Sequence, residues 1–475
     1  MCILVLESST SSAKAMLYDP KRGVVDMLSE IYAPDACDVG EIGAQDPELI
    51  FQQTVNIGKQ LAAGRKIDAI IPCGTWHTVL VTDANIRPVT PSYTWTYNGA
   101  ASVAARLRAD KAFCKSFYQR TGCMVHAIYP IFKLLSLKEN GMDLTGKMVC
   151  SQSSYNVYRL TGECVTTDCT ASGEGLLNVH TRQWEPQSLA LLGITDKQLF
   201  RLTNYRETFP LSEEGARLLG LPAGIPVLPN YPDGALNQVG AGALTPGVMT
   251  FSVGTSGALR LSTTRPVLPK EPSTWCYLSP NSWLSGAATS GACNCLDWYK
   301  EHFFPAALSY EQLEQTNIDL QKMPFFFPFL FGERCPGWND EWLGGFFRLR
   351  ADHSAAELYR SVQEGILFNL YQCYNILCHE NGIPVEVRLS GGITNSKMWQ
   401  QMCCDIFGRN MLCSNVPHAS MLGGAVLAME VLGGIDKIEK FEVGAMEQLT
   451  PNPKMHTLYE KRFSIYLEQY RKGNF

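Results

Sequence analysis

Three groups of residues in this chain have the types and spacing that phosphoryl transfer needs. The first is a carboxylate, Asp233, set in Asn230-Tyr231-Pro232-Asp233-Gly234-Ala235 ahead of a glycine-rich run over 239–243. The second is a pair of turns dense in hydroxyls and glycine, Glu7-Ser8-Ser9-Thr10-Ser11-Ser12 and Gly254-Thr255-Ser256-Gly257. The third is Ser390-Gly391-Gly392, with Asn395 beyond it. Phosphoryl transfer asks for little covalent chemistry: a base to orient the attacking hydroxyl, and donors or a metal to hold the phosphates. Asp233 fits the first role. The turns expose N–H and O–H groups in a concave arrangement suited to phosphate oxygens, and paired glycines let a ligand approach the backbone closely.

The elements around these groups position them. Each hydroxyl-rich turn lies between two apolar runs, 3–6 and 13–19 in the first case, 248–253 and 258–261 in the second. A strand, turn, strand unit therefore occurs twice, near the start of each half of the chain. The surroundings read as α/β. Asp46-Pro47 makes an N-cap and first turn, and Ile50, Ile57 and Leu61 share a helical face before a strand over 67–71. In the second half Ser354 and Glu357 form a capping box, Val362, Ile366 and Leu370 line one face, and Asn381-Gly382 closes the helix before a strand over 385–389.

The whole chain sets bounds on this reading. With 475 residues it exceeds the roughly 250–300 at which single cores stop growing, so two domains with a cleft between them are expected. A net charge of -5 with scattered basic residues offers no footprint for nucleic acid. The most apolar stretch, 323–331, holds Pro324 and Pro328 and falls short of the ~20 residues a membrane span requires. The amino terminus has the pattern of a first strand, so a cytosolic (cytoplasmic) location is expected. The 17 cysteines show no paired zinc-ligand spacing and read as buried reduced thiols. A homodimer is a common assembly to keep in view, and no residue pattern marks an interface.

Taken together, these segments resemble the FGGY carbohydrate kinases, a family that includes gluconate, xylulose, ribulose and glycerol kinases. The resemblance covers essentially the whole chain and extends to Leu160-Thr161-Gly162, Asp168, Trp399, Gln400 and the run Ser420, Gly423, Gly424, Ala425, Ala428. It implies an α/β fold of two ribonuclease H-like domains of the actin and hexokinase type, spanning 1–243 and 244–475 and flanking a central cleft. It implies ATP as phosphoryl donor, Asp233 as catalytic base, Ser9, Thr10, Ser11 and Lys14 at the first phosphate turn, and Gly254, Thr255 and Ser256 at the second. Gly391, Gly392 and Asn395 match the nucleotide segment, and Glu7 with Asp233 would hold Mg²⁺, through water where needed. The stretch 328–339, then 345–347 and 364–370, looks most like gluconate kinases; its Gly332-Glu333-Arg334-Cys335-Pro336 core is shared with xylulose kinases, and Trp338-Asn339 and Phe368-Asn369-Leu370 are the details that favour gluconate. A xylulose, ribulose or other neutral sugar or polyol kinase is the alternative.

Three departures fall in the site. Glu7 stands where the family has Asp, keeping the charge on a longer arm. The family's Trp-x-Asp-x-Arg segment reads Trp95-Thr96-Tyr97-Asn98-Gly99 here, so the charged pair that helps to hold substrate is gone. Gly74-Thr75-Trp76-His77 replaces a loop of Gly-Gln-x-His type. Trp76, His77, Trp95 and Asn98 are the substrate-side candidates, with Trp76 or Trp95 as an apolar face and His77 as a donor to a sugar hydroxyl. Lys133 matches a family lysine and is read either as facing the cleft or as a surface residue. Because of these departures, a catalytically weak sugar- and ATP-binding regulatory protein is the reading from another class.

Overall fold

The structure is a computed structural model that describes residues 1–303, 309–314, 318–414 and 416–473. Two seven-stranded sheets organise it. In the first, Ile3–Ser8 pairs antiparallel with Ser12–Asp19 and parallel with Ala69–Gly74. In the second, Val248–Val253 pairs antiparallel with Gly257–Thr263 and parallel with Glu386–Ser390. The unit duplicated in the sequence is thus duplicated in the topology.

All six residues of Ile3–Ser8 are buried, as a central strand covered on both faces requires. Alternation along it divides the burial. Ile3 and Val5 belong to the larger apolar core, while Leu4 and Leu6 pack with Ile50 and Ile57 of helix Pro47–Ala62 in a second cluster. That helix begins where the sequence places it, with the Asp46 carboxylate accepting from the N–H groups of Glu48 and Leu49. Helix Ala355–Asn381 opens on the expected Ser354–Glu357 capping box. The larger core runs continuously through both sheets, so the halves share buried surface rather than enclosing two separate cores.

A helix from each half makes that continuity. The stretch around Asp233, read from its Pro and Gly as a turn, is a strand end followed at once by a helix. Tyr231–Pro232 pairs parallel with Cys73 and Gly74, and helix Asp233–Gly240 starts at the next residue. Proline suits this junction because the first N–H groups of a helix have no partner within it. The helix crosses Ala419–Val431, the family-like run in the second half. The crossing is close: a Cβ on Gly240 would lie 1.9 Å from the Ala419 carbonyl oxygen, and one on Gly423 2.0 Å from that of Leu236. None of the 17 cysteines forms a disulfide, and among the described residues no helix is long and apolar enough to cross a membrane.

Candidate active site

Asp233 is the first residue of its helix and is held from two sides. Its Oδ1 accepts from the N–H of Gly234 at 2.7 Å and from the N–H of Trp76 at 3.3 Å. Burial, and then the neighbouring Glu7 carboxylate, push its pKa up to about 6 against the pull of Gly234 and Arg260. A base close to the working pH combines ionisation with proton affinity.

Asp233 opens into a cavity of about 120 Å³ with walls from both halves. Thr75, Trp76, His77, Trp95 and Ile128 line it from the first half, and Ser256, Arg260, Trp275, Tyr277 and Arg334 from the second. Of the two hydroxyl-rich turns, the second lines it through Ser256, and the first is tied to it through Trp95, which donates its indole N–H at 2.9 Å to the hydroxyl of Thr10. The Ser9 hydroxyl closes its own turn on the carbonyl of Ser12 at 2.7 Å, whereas Ser11 is exposed. In the second turn the Gly254 carbonyl accepts from the N–H of Cys293 at 2.8 Å. Gly391 lies against that turn with a φ of 91°, and a Cβ there would meet the Val253 carbonyl at 2.6 Å. Gly392 sits beside Cys293, and Thr255 and Asn395 are exposed.

Glu7 is buried, opposite Lys14 in the hairpin register. Its two oxygens are engaged, Oε2 with the Lys14 ammonium at 3.2 Å and Oε1 with the Ser420 hydroxyl at 2.8 Å. Lys14 is therefore the counter-ion of Glu7. Among the described residues there is no cluster of three or more His, Cys, Asp or Glu side chains for a metal. Glu7 and Asp233 do repel one another. Two carboxylates in that relation fit a Mg²⁺ that keeps most of its water shell.

The substrate-side candidates separate. Trp76 is buried, donates its indole N–H to the Thr170 carbonyl at 3.1 Å and packs on Tyr277, so it forms a wall and also holds Asp233 through its backbone. His77 has its Nδ1–H committed to the Gly173 carbonyl at 2.6 Å, and burial pushes its pKa down to about 3. With Nδ1–H so engaged, the neutral ring offers its Nε2 as an acceptor rather than a donor. Trp95 stays on the cavity, whereas Asn98 is exposed and does not line it. Lys133 is neither in the cleft nor on the surface. It is completely buried, and its ammonium binds the carbonyls of His77 at 2.8 Å and Thr94 at 2.6 Å, tying together the two substrate-side segments. Trp338 packs in the second half, with its indole N–H on the Ser273 carbonyl at 2.6 Å. Glu364 is spent on a buried bidentate pair with Arg462.

Sequence reasoning passed over Arg260 and quoted Arg334 only as part of a motif. Both line the cavity.

The N-terminal domain model of the FGGY family of carbohydrate kinases matches residues 2–240, and the C-terminal domain model of the same family matches 249–430. The chain belongs to the FGGY family of carbohydrate kinases. As an FGGY kinase it is a phosphotransferase with an alcohol group as acceptor, on a fold of two actin- and hexokinase-like domains. It is 27% identical to the gluconokinase of Bacillus subtilis, over 98% of this chain and 94% of that protein. It is 26% identical to the xylulose kinase of Escherichia coli, over 90% of each. A solved gluconate kinase from Lactobacillus acidophilus superposes with a TM-score of 0.93 at 27% identity, covering 99% of this chain and 98% of that one. A xylulose kinase from the same organism gives 0.93 at 28% identity, with the same coverage.

Proposed function

We propose that this FGGY kinase transfers the γ-phosphoryl group of ATP to a hydroxyl of a small sugar acid, with gluconate the first candidate and Asp233 the base. The observation that carries this is the position of the Asp233 carboxyl. It is raised to about 6 and set at a helix start in a cavity lined by both halves of the chain, with Ser256 of the second turn in its wall. Similarity to gluconokinases over nearly the full length supports the substrate, and similarity to xylulose kinases keeps a neutral ketose as the second reading.

The substrate hydroxyl approaches Asp233 Oδ2, since Oδ1 is engaged by Gly234 and Trp76. The carboxylate orients it and takes its proton as the new P–O bond forms and the bond from the γ-phosphorus to the β–γ bridging oxygen breaks, with ADP leaving. The two turns and Gly391-Gly392 supply N–H and hydroxyl groups to the phosphates. Glu7 and Asp233 are the residues that would hold Mg²⁺, which supplies charge neutralisation at the phosphates. Trp76, Trp95 and Tyr277 exclude water, which limits hydrolysis of the donor.

The test is ADP release by the purified protein with MgATP against a panel of aldonates, ketoses and polyols. Asp233→Asn is expected to lose about 10²- to 10⁴-fold in kcat while still binding ATP. Full activity in that variant would remove Asp233 from the chemistry. ATP binding without turnover of any panel member would favour the regulatory reading.

A further inference from the structure

The Arg260 and Arg334 guanidinium groups differ from the other cations near the cavity in having no hydrogen-bonded partner among the described residues. Lys14 has Glu7, and Lys133 has its carbonyls. Neither guanidinium makes a hydrogen bond or ion pair among the described residues, and the Nε of each is buried without an acceptor. Arg260 lies over Gly234, where a Cβ would come within 3.4 Å of its Nη2, yet it makes no bond to Asp233. The two guanidinium groups also oppose each other, since the charge of Arg334 acts unfavourably on Arg260. Asp233 is the one carboxylate among the residues that line this cavity and offsets Arg260 only in part, so two guanidinium groups face it with a single anion and no hydrogen-bonded partner, which is costly to keep.

The loop that carries Arg334 is, by contrast, anchored at several points. Glu333 accepts from the Tyr470 hydroxyl at 2.6 Å, and the Cys335 N–H donates to the Ala288 carbonyl at 3.1 Å. Asp340 binds Arg108 at 2.9 Å and His126 at 2.5 Å from the other half of the chain. An anchored backbone that leaves the guanidinium without a partner suits the binding of an anion.

We infer that Arg260 and Arg334 form the subsite for the substrate's carboxylate and make this kinase specific for sugar acids. The inference rests on the kinase reading and adds to it the residues that choose the substrate. Planar, forked guanidinium groups match a carboxylate in two-point fashion. Position separates this anion from the ATP phosphates: Arg334 lines the cavity with His77 and Tyr277, side chains that belong to neither hydroxyl-rich turn, and Arg260 lies beside Asp233. The cation absent from the 95–99 segment is thus supplied from the second half of the chain.

The experiment compares gluconate with D-glucitol, its neutral counterpart, in wild type, Arg334→Gln, Arg260→Gln and the charge-keeping Arg334→Lys. Turnover is followed together with calorimetric binding of gluconate without nucleotide. Wild type should favour gluconate by at least about 100-fold in kcat/KM. Each Gln variant should weaken gluconate by at least about 30-fold, leave the KM for ATP unchanged, and melt as a folded protein. Arg334→Lys should recover part of the loss. Equal use of glucitol or xylulose by wild type would overturn the inference while leaving the kinase reading intact. A rise in the KM for ATP in the Gln variants would assign the arginines to phosphate and overturn it too. If nothing turns over, the kinase reading fails separately: gluconate binding lost in Arg334→Gln still upholds the subsite, and no binding by wild type ends it.

Discussion

Asp233 is ionised at neutral pH at a cost. Its carboxyl is raised from the ordinary 3.8 to about 6, so the folded protein binds that proton more tightly than the unfolded chain does. Stability linked to this group is fully present below about pH 4 and lost as pH rises through about 6. Asp233→Asn should therefore stabilise the protein at pH 7 by about 1–3 kcal/mol, with the advantage fading towards pH 4, as read by thermal melts across pH. Activity runs the other way, and kcat/KM should fall on the acid side with an apparent pKa near 6. Glu7 is one cause of that value, so Glu7→Gln should move the acid limb to lower pH. An unmoved limb would detach Glu7 from the site. Asp233 and both phosphate turns are legible in the sequence because each is a short contiguous segment. Arg260 and Arg334 are not, since their meaning depends on partners they lack, and only packing reveals that. The neutral, accepting state of His77 is equally hidden, because it depends on the Gly173 carbonyl almost a hundred residues away.

At the level of elements, Lys133 acts as a strut. Its helix, Pro130–Glu139, threads the ammonium under the loop that carries Trp76 and His77 and under the segment that leads to Trp95. Lys133→Met keeps the stem but strips several carbonyls of their donor. It should cost about 3 kcal/mol in denaturant unfolding and raise the sugar KM more than the KM for ATP. Equal effects on both would make the strut a general stabiliser. Helix caps and strand starts are readable because their signals are local, as at Asp46 and Ser354. The helix at Asp233 is not, because Pro232 and Gly234 carry turn signals that parallel pairing with Cys73 and Gly74 overrides.

For the whole molecule, the crossing of helices Asp233–Gly240 and Ala419–Val431 joins the two sheets. With no side chain between the backbones at Gly240 and Gly423, even one methyl forces the helices apart. Gly240→Ala should destabilise by about 1–3 kcal/mol or more and reduce kcat, measured by denaturation and steady-state assay. A wild-type kcat in the folded variant would show that the crossing does not set the active geometry. The duplicated hairpin fold was legible because the same unit recurs in both halves, but the shared core was not, because it arises from this contact between residues far apart in sequence.

The crossing also has the geometry of an axle. One helix carries Asp233 at its start, and the other presents Ser420 to Glu7 at its start, so the carboxylates of the site lie beside the axle rather than out on the blades. Points near an axis move least when a body turns about it. If the halves swing apart to admit substrate, the outer walls, with Trp95 on one side and Arg334 on the other, sweep the larger arcs, while Asp233 and Glu7 keep almost the same separation. The kinase can open its mouth without dismantling its teeth.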